Sequence, residues 1–455
     1  MKQPLPALRR FYTGRWYPIL VALLIFLGHC AAMEALFALI LALTLVPALL
    51  LCEDVRFGIL PFLCAIFIVS VRDYTPSNPG YDEQYLNAPF LVTLSVAVIL
   101  VLAALVLFLI RNRKHRNPFP RRGMFWSMAF VCALFALNGS LSPAYSIGNF
   151  LYVLLIAASL LPVYALFVLF LRFDESTFDY FMYCLVVAGL LIVAELIFAF
   201  FTTVQFVDGE IVKGSVVLGW GVWTNIGGML AFLMPACFYF AHSHRHGWIG
   251  YVLGLLEYLC IVLSQSRGAL LIGTLILALC LLYVCVGGSN RKQNRIFTAC
   301  IGVCAVIGIL FLSEKLFSLV RNFADMGLAD NGRFEMWKIG IDKFCERPLF
   351  GSGFYDSYHT EEWDMGPLPY LYHNTAVQVL GATGIVGAVA YLYHRFHTVK
   401  LVIMRPNFRK TILGTCILAL LLFSLTDVLF FKIYPTIYYS LMLLFIEHSQ
   451  GEKGT

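Results

Sequence analysis

Charge is what this sequence has least of. Asp, Glu, Lys and Arg make up 13% of its 455 residues, about half the share found in soluble globular domains. Apolar residues make up 60% and the mean hydropathy is +0.82. A water-soluble fold with a charged exterior is excluded. Alternating ten-residue strand patterns are also missing, which argues against a β-barrel. No C-x-x-C pair and no metal-ligand spacing occurs. Nearly all of the thirteen cysteines, such as Cys260, Cys280, Cys285, Cys300 and Cys304, lie in apolar runs, where they act as small hydrophobes. There is no Asp-x-Asp motif, no repeat of solenoid period and no low-complexity tract.

Apolar helix is what fills the chain. Fourteen runs, most of them long enough to cross roughly 30 Å of hydrocarbon as helix, fall near 16–32, 34–52, 57–72, 89–110, 123–139, 147–171, 178–201, 222–242, 248–264, 268–286, 296–312, 374–394, 411–428 and 431–447. The expected fold is all-α: a polytopic transmembrane bundle of about 12–14 helices with one long, partly helical extracytoplasmic loop. Lys2, Arg9, Arg10 and Arg15 before an apolar run resemble a signal peptide. His29 in "LGHC" and a second run at Ala35–Leu51 make a first transmembrane helix the better reading.

With both termini in the cytoplasm, 22 of the 32 Lys and Arg residues fall inside, and every strongly basic short loop is among them. The net charge of +6 is therefore a topology signal and no argument for nucleic acid. The chain divides into N-terminal helices (1–312), an outer loop (313–373) and C-terminal helices (374–455). The loop carries six basic and ten acidic residues and only one cysteine, Cys345. Its Trp, Tyr and Phe content argues for order. A smaller outer loop, "TTVQFVDGEIVKGSVVLGWGVWTN", is expected to lie against the membrane as a re-entrant or amphipathic piece.

Several outward-facing residues can carry chemistry. Arg267, in "LSQSRGALLIG", stands in a tight turn beside Ser264, Gln265 and Ser266. It either snorkels to the surface or offers its planar fork to phosphate oxygens. Gly268 permits close backbone approach. In the long loop, Asp330 or Asn331 is placed to cap a helix in which Arg333, Trp337, Ile341 and Phe344 share a face. That helix is amphipathic and suited to the membrane surface. "RPLFGSGF" then reads as helix stop and turn, and lacks the Gly-Lys-Ser/Thr ending of a nucleotide P-loop. His373 and Asn374 stand where the chain re-enters the membrane. His373 is either a structural cap or a base for a hydroxyl proton. Gly381, Gly384 and Gly387 suit close packing. Glu195 and Glu257 are intramembrane acids, structural or functional. Asp427 lies near an outer helix end with no partner that the sequence can name.

Three pieces in order, "SQSRGA", "GRFEMWKIGIDKFCERPLFGSGF" and "HNTAVQVLGATGIVGAVAYL", resemble the O-antigen ligase and Wzy-type polymerase family over residues 220–395. The chain departs from that family in having about two helices beyond the usual twelve. The resemblance implies a GT-C-like glycosyltransferase of the inner (cytoplasmic) membrane with its site on the extracytoplasmic face. It would move a glycan from undecaprenyl diphosphate to a hydroxyl of a glycan or lipid-linked acceptor, as a surface polysaccharide polymerase or O-antigen ligase. It implies diphosphate-binding roles for Arg267 and Arg333 and a base role for His373, with Ser264, Ser266, Trp337 and Asn374 in support. No cofactor and no metal are implied, and transfer would invert the anomeric centre. A flippase and a chain-length regulator are the partners such a role calls for. A transporter or lipid-linked oligosaccharide flippase is the alternative; it predicts inverted repeats, which the sequence does not display.

Overall fold

Backbone in hydrocarbon must satisfy its N–H and C=O groups within the protein, so apolar runs separated by short polar turns become helices. The structure, a computed structural model, describes residues 4–70, 88–118, 124–311, 332–359, 364–369 and 372–449. The chain begins with α1 (Pro4–Tyr12), α2 (Trp16–Ala31), α3 (Glu34–Leu51) and α4 (Val55–Ile59), the last continuing as a 3-10 helix to Ile68. Then come α5 (Ala88–Asn112), α6 (Met124–Leu141), α7 (Ile147–Phe170) and α8 (Glu175–Thr202). After an outer loop follow α9 (Trp223–Leu233), α10 (Pro235–Ser243), α11 (Gly247–Leu263), α12 (Arg267–Val286) and α13 (Arg291–Phe311). The last helices are α14 (Arg333–Glu346), α15 (Thr375–Ile403), α16 (Phe408–Phe423) and α17 (Ile433–His448). Among the described residues, eight helices are long and apolar enough to cross a membrane. The pair Pro6–Tyr12 and Trp16–Ala31, bent by 67°, would add a ninth. The protein is a polytopic all-α membrane protein.

Every one of the fourteen expected runs contains helix, with four departures of physical origin. The run at 57–72 is mostly 3-10, with Pro61 in its first turn, where the missing N–H removes a donor. Pro235 divides the run at 222–242 into α9 and α10. The run at 374–394 extends to Ile403 and breaks at Gly384, whose φ of 60° and ψ of −161° lie outside the helix region. The run at 411–428 stops at Phe423, which frees residues 424–432 to form a turn and one short 3-10 stretch. The smaller outer loop is not one continuous helix. It holds two hairpins of two-residue strands, β1 (Phe206–Val207) with β2 (Glu210–Ile211) and β3 (Val217–Leu218) with β4 (Gly221–Val222). Asp208 and Gly209 both take positive φ in the first hairpin, the signature of an Asp-Gly hairpin turn. The expected caps Asp330 and Asn331 lie outside the described residues; Gly332 precedes α14.

The break at Gly384 is filled by the chain that follows α14. Ser352 N and Gly353 N donate to the carbonyls of Gly381 and Ala382 at 2.8 and 2.9 Å. In return Ile385 N donates to Pro348 O and Val386 N to Leu349 O. "RPLFGSGF" is thus a helix stop that also splices into α15 and replaces its interrupted ladder. Beyond it, β5 (Asp356–His359) pairs antiparallel with β6 (Asp364–Leu368).

The buried acids have structural partners. Glu195 accepts from Trp220 Nε1 at 2.8 Å and so ties the outer loop to α8. Glu257 receives Cys237 Sγ at 3.3 Å. Inside the bundle the Arg395 guanidinium lies 4.2–5.2 Å from the ring centroids of Phe430, Tyr391 and Tyr439 and donates to the Tyr439 hydroxyl.

Candidate active site

The turn at Arg267 is built by its serines. Ser264 Oγ donates to Ile261 O at 2.7 Å and accepts weakly from Ser266 N at 3.4 Å. Gln265 takes a left-handed φ of 58°. Ser266 then caps α12, its Oγ accepting from Ala269 N at 3.3 Å. Both serines are buried, so their hydroxyls shape the turn while Arg267, half-buried, opens the helix. A Cβ at Gly268 would come within 3.2 Å of Thr426 Oγ1, so this turn rests on residues 424–427.

The same segment supports His373. Thr375 N donates to Ser424 O at 2.9 Å, and Asn374 Nδ2 to Leu425 O at 3.1 Å. Asn374 Oδ1 accepts from Ala376 N and Val377 N. The cap of α15 is therefore Asn374, which leaves the His373 side chain outside the cap. His373 sits at a left-handed φ of 44°, a conformation unusual for a side chain with a Cβ and worth notice at a functional position. Its Nδ1 lies 3.3 Å from Oδ1 of buried Asp427. That nitrogen is buried, yet the side chain as a whole is 43% exposed, so the Nε2 edge of the ring is the open one. Burial pushes the Asp427 carboxyl up, but His373 and then Lys432 outweigh it and hold it well below the usual carboxylate range.

The second group is cationic. Lys213 begins the 3-10 turn Lys213–Ser215 in the smaller outer loop. Its Nζ stands 5.5 Å from the ring centroid of Trp223, the first residue of α9. α9 lies directly on α12, since a Cβ at Gly227 would meet that of Ala269 at 2.6 Å. Burial first, then the charges of Arg267 and Arg333, lower the Lys213 pKa. No carboxylate among the described residues pairs with any of these three cations. Arg333 opens α14, which is pinned to α15 where a Cβ at Gly381 would lie 2.9 Å from Gly340 O. One turn on from Arg333, Trp337 has a buried indole Nε1 without a hydrogen-bond partner among the described residues.

Arg267, Arg333 and Lys213 thus come together, and the Arg267 and His373 turns share one support. The first turns of α9, α12, α14 and α15 carry these residues or their contacts, and helix N-termini favour anions. Sequence reasoning missed two residues. Lys213 entered only the charge tally, although it is the sole basic residue between α8 and α9 and lies close to Trp220 and Trp223. Asp427 was visible as an acid at a helix end, but its partner is far away in sequence. Among the described residues no group of three His, Cys, Asp or Glu could hold a metal ion.

The fold defines a multi-pass helical membrane protein, in which the Arg267 turn and a His–Asp pair share one support. Residues 250–392 match the family described as O-antigen ligase. A comparison with curated proteins finds no match. Arg267, Arg333 and His373 fall inside the matched segment, while Lys213 and Asp427 lie outside it. The match supports a membrane glycosyl-transferring role of the ligase or polymerase kind.

Proposed function

We propose that the protein transfers a glycan from undecaprenyl diphosphate to a hydroxyl of a glycan or lipid-linked acceptor, on the outer face of the cytoplasmic membrane. The observation that carries this reading is a group of cations without carboxylate partners among the described residues, beside a histidine whose Nδ1 lies against a buried aspartate. Arg267 and Arg333 grip the diphosphate, since a guanidinium fork matches phosphate oxygens in pairs. Asp427 orients His373, with Nδ1 protonated and Nε2 free to act as base. The acceptor oxygen attacks the anomeric carbon and gives its proton to Nε2. The bond from that carbon to the phosphate oxygen breaks, and its electron pair stays on the diphosphate. Attack from the side opposite the leaving group inverts the anomeric centre. Cations take the leaving charge, so no metal is needed for it. The outer placement rests on the Lys and Arg split. A flippase supplying the donor and a chain-length regulator are partners this role calls for.

The test is reconstitution. Full-length protein in liposomes with an undecaprenyl-diphosphate-linked glycan should release undecaprenyl diphosphate in the presence of a metal chelator and form an inverted linkage by NMR. No release, or release unchanged in both Arg267→Met and Arg333→Met, counts against this function.

A further inference from the structure

We propose that Lys213 is the residue that stabilises the charge appearing on the diphosphate as the glycosyl bond breaks, a task separate from the donor-holding task of Arg267 and Arg333. The proposal rests on the donor reading above and deepens it.

The placement comes first. Lys213 lies on a loop of its own between α8 and α9, with its Nζ over the face of Trp223, and α9 packs at Gly227 against Ala269, in the same first turn of α12 as Arg267. An aromatic face seats an ammonium without neutralising it. Asp208 and Glu210 are in the same loop, but both are exposed and neither pairs with Lys213. Among the described residues no carboxylate takes up its charge. Three positive groups converge where a carboxylate would ordinarily relieve their repulsion.

Charge counting gives the third cation its task. A diphosphate esterified at both ends carries one negative charge on each phosphate. When the anomeric carbon leaves, its former bonding pair stays on the terminal phosphate oxygen. That phosphate becomes a monoester-like group whose second ionisation falls near pH 6. The donor therefore has two charges and the departing polyprenyl diphosphate has three near neutral pH. Two arginines match the donor, and one more cation matches what forms on the way to product. Interactions stronger in the transition state than in the ground state are the ones that raise kcat. A point charge on a flexible stem suits an oxygen whose charge is changing, whereas a planar fork suits a fixed pair. Lys213 donates no proton in this step; the acceptor hydroxyl proton goes to His373.

The test measures binding of two ligands to full-length protein in lipid nanodiscs at about pH 7.5, above the second phosphate ionisation. One is undecaprenyl diphosphate, with three charges; the other is its methyl ester at the terminal phosphate, with two. Wild type should bind the free diphosphate more tightly. Lys213→Met should weaken it about tenfold, the worth of one charge-assisted contact, and leave the methyl ester within about threefold. Lys213→Arg should keep part of the preference and unfold at the wild-type temperature. In turnover assays kcat of Lys213→Met should fall with KM nearly unchanged. Equal losses for both ligands, or none for either, overturn the proposal while leaving the donor reading intact. So does a wild type that binds both without preference. A wild type that binds neither ligand overturns the donor reading and this proposal with it.

Discussion

The two ends of the bundle treat arginine in opposite ways. At the end assigned to the cytoplasm, Arg56 is buried between Asp54 at 3.2 Å and Asp174 at 2.9 Å, and donates also to Ser176 and Thr177. Arg172 and Arg9 meet Glu53 at 3.1 and 3.6 Å. Asp174 is held well below the usual carboxylate range, chiefly by Arg56. At the other end Arg267, Arg333 and Lys213 share space with no acid of their own among the described residues. A cation given its own carboxylates is part of the architecture, for its charge is spent within the fold. Like charges kept together without acids repel one another, and an incoming anion removes that repulsion. The difference separates the cations that assemble the helices from those we propose to hold a ligand.

Substitutions at each end can break or sharpen this contrast. The largest effect belongs to Asp427→Asn. An amide leaves His373 without the partner that fixes its tautomer, so turnover should drop by about 10²–10⁴-fold, as for other orienting aspartates. Donor affinity, measured by equilibrium binding, should not move. Next comes Arg56→Met, which strands Asp54 and Asp174. It should lower stability by about 3 kcal/mol, the low end for a buried pair because Asp174 is half exposed. Thermal unfolding in nanodiscs reads this, and the folded fraction should bind donor like wild type. Loss of donor binding instead would erase the distinction between the ends. Arg267→Lys keeps charge and loses the fork, for a fall in donor affinity of about tenfold with little change in unfolding. Smallest is the pH effect through Lys213. Its pKa is depressed in the free protein by burial, Arg267 and Arg333, and a bound anion raises it. Binding of free undecaprenyl diphosphate should thus take up protons, being strongest at low pH and weakening as pH rises through the bound-state value. Titration calorimetry in two buffers of different ionisation heat would detect this uptake, and its absence would remove Lys213 from the ligand.

Much of this was legible in the chain. Long apolar runs announce helices, because hydrocarbon leaves the backbone no other partner, and basic short loops suggest their direction. Arg267 stood out as a planar cation in a turn between two such runs. The break in α15 was not legible, since Gly384 reads as one more small residue until the 348–353 segment is seen to replace its hydrogen bonds. The hairpins of the smaller loop were hidden because two-residue strands have no period. His373 as cap or base could not be decided from position, as the cap depends on which of two adjacent side chains turns toward the helix; Asn374 does. The contact between His373 and Asp427 joins two turns far apart in the chain, and one sequence holds no signal for it.

The most direct test of the account follows donor consumption by purified wild type and His373→Gln, from about pH 5.5 to about pH 8.5, a range bracketing ordinary histidine titration. Asp427 is depressed, so its contribution to stability is full above the unfolded carboxyl value of about 3.9 and is lost only as pH falls through its lower folded value. Across the tested range it stays ionised and adds no slope. The account predicts that wild-type turnover rises with pH, while the glutamine variant binds both substrates and turns over about 10²–10⁴-fold more slowly, without that rise. A glutamine variant that transfers glycan at a rate near wild type, with the same pH dependence, would contradict base catalysis at His373.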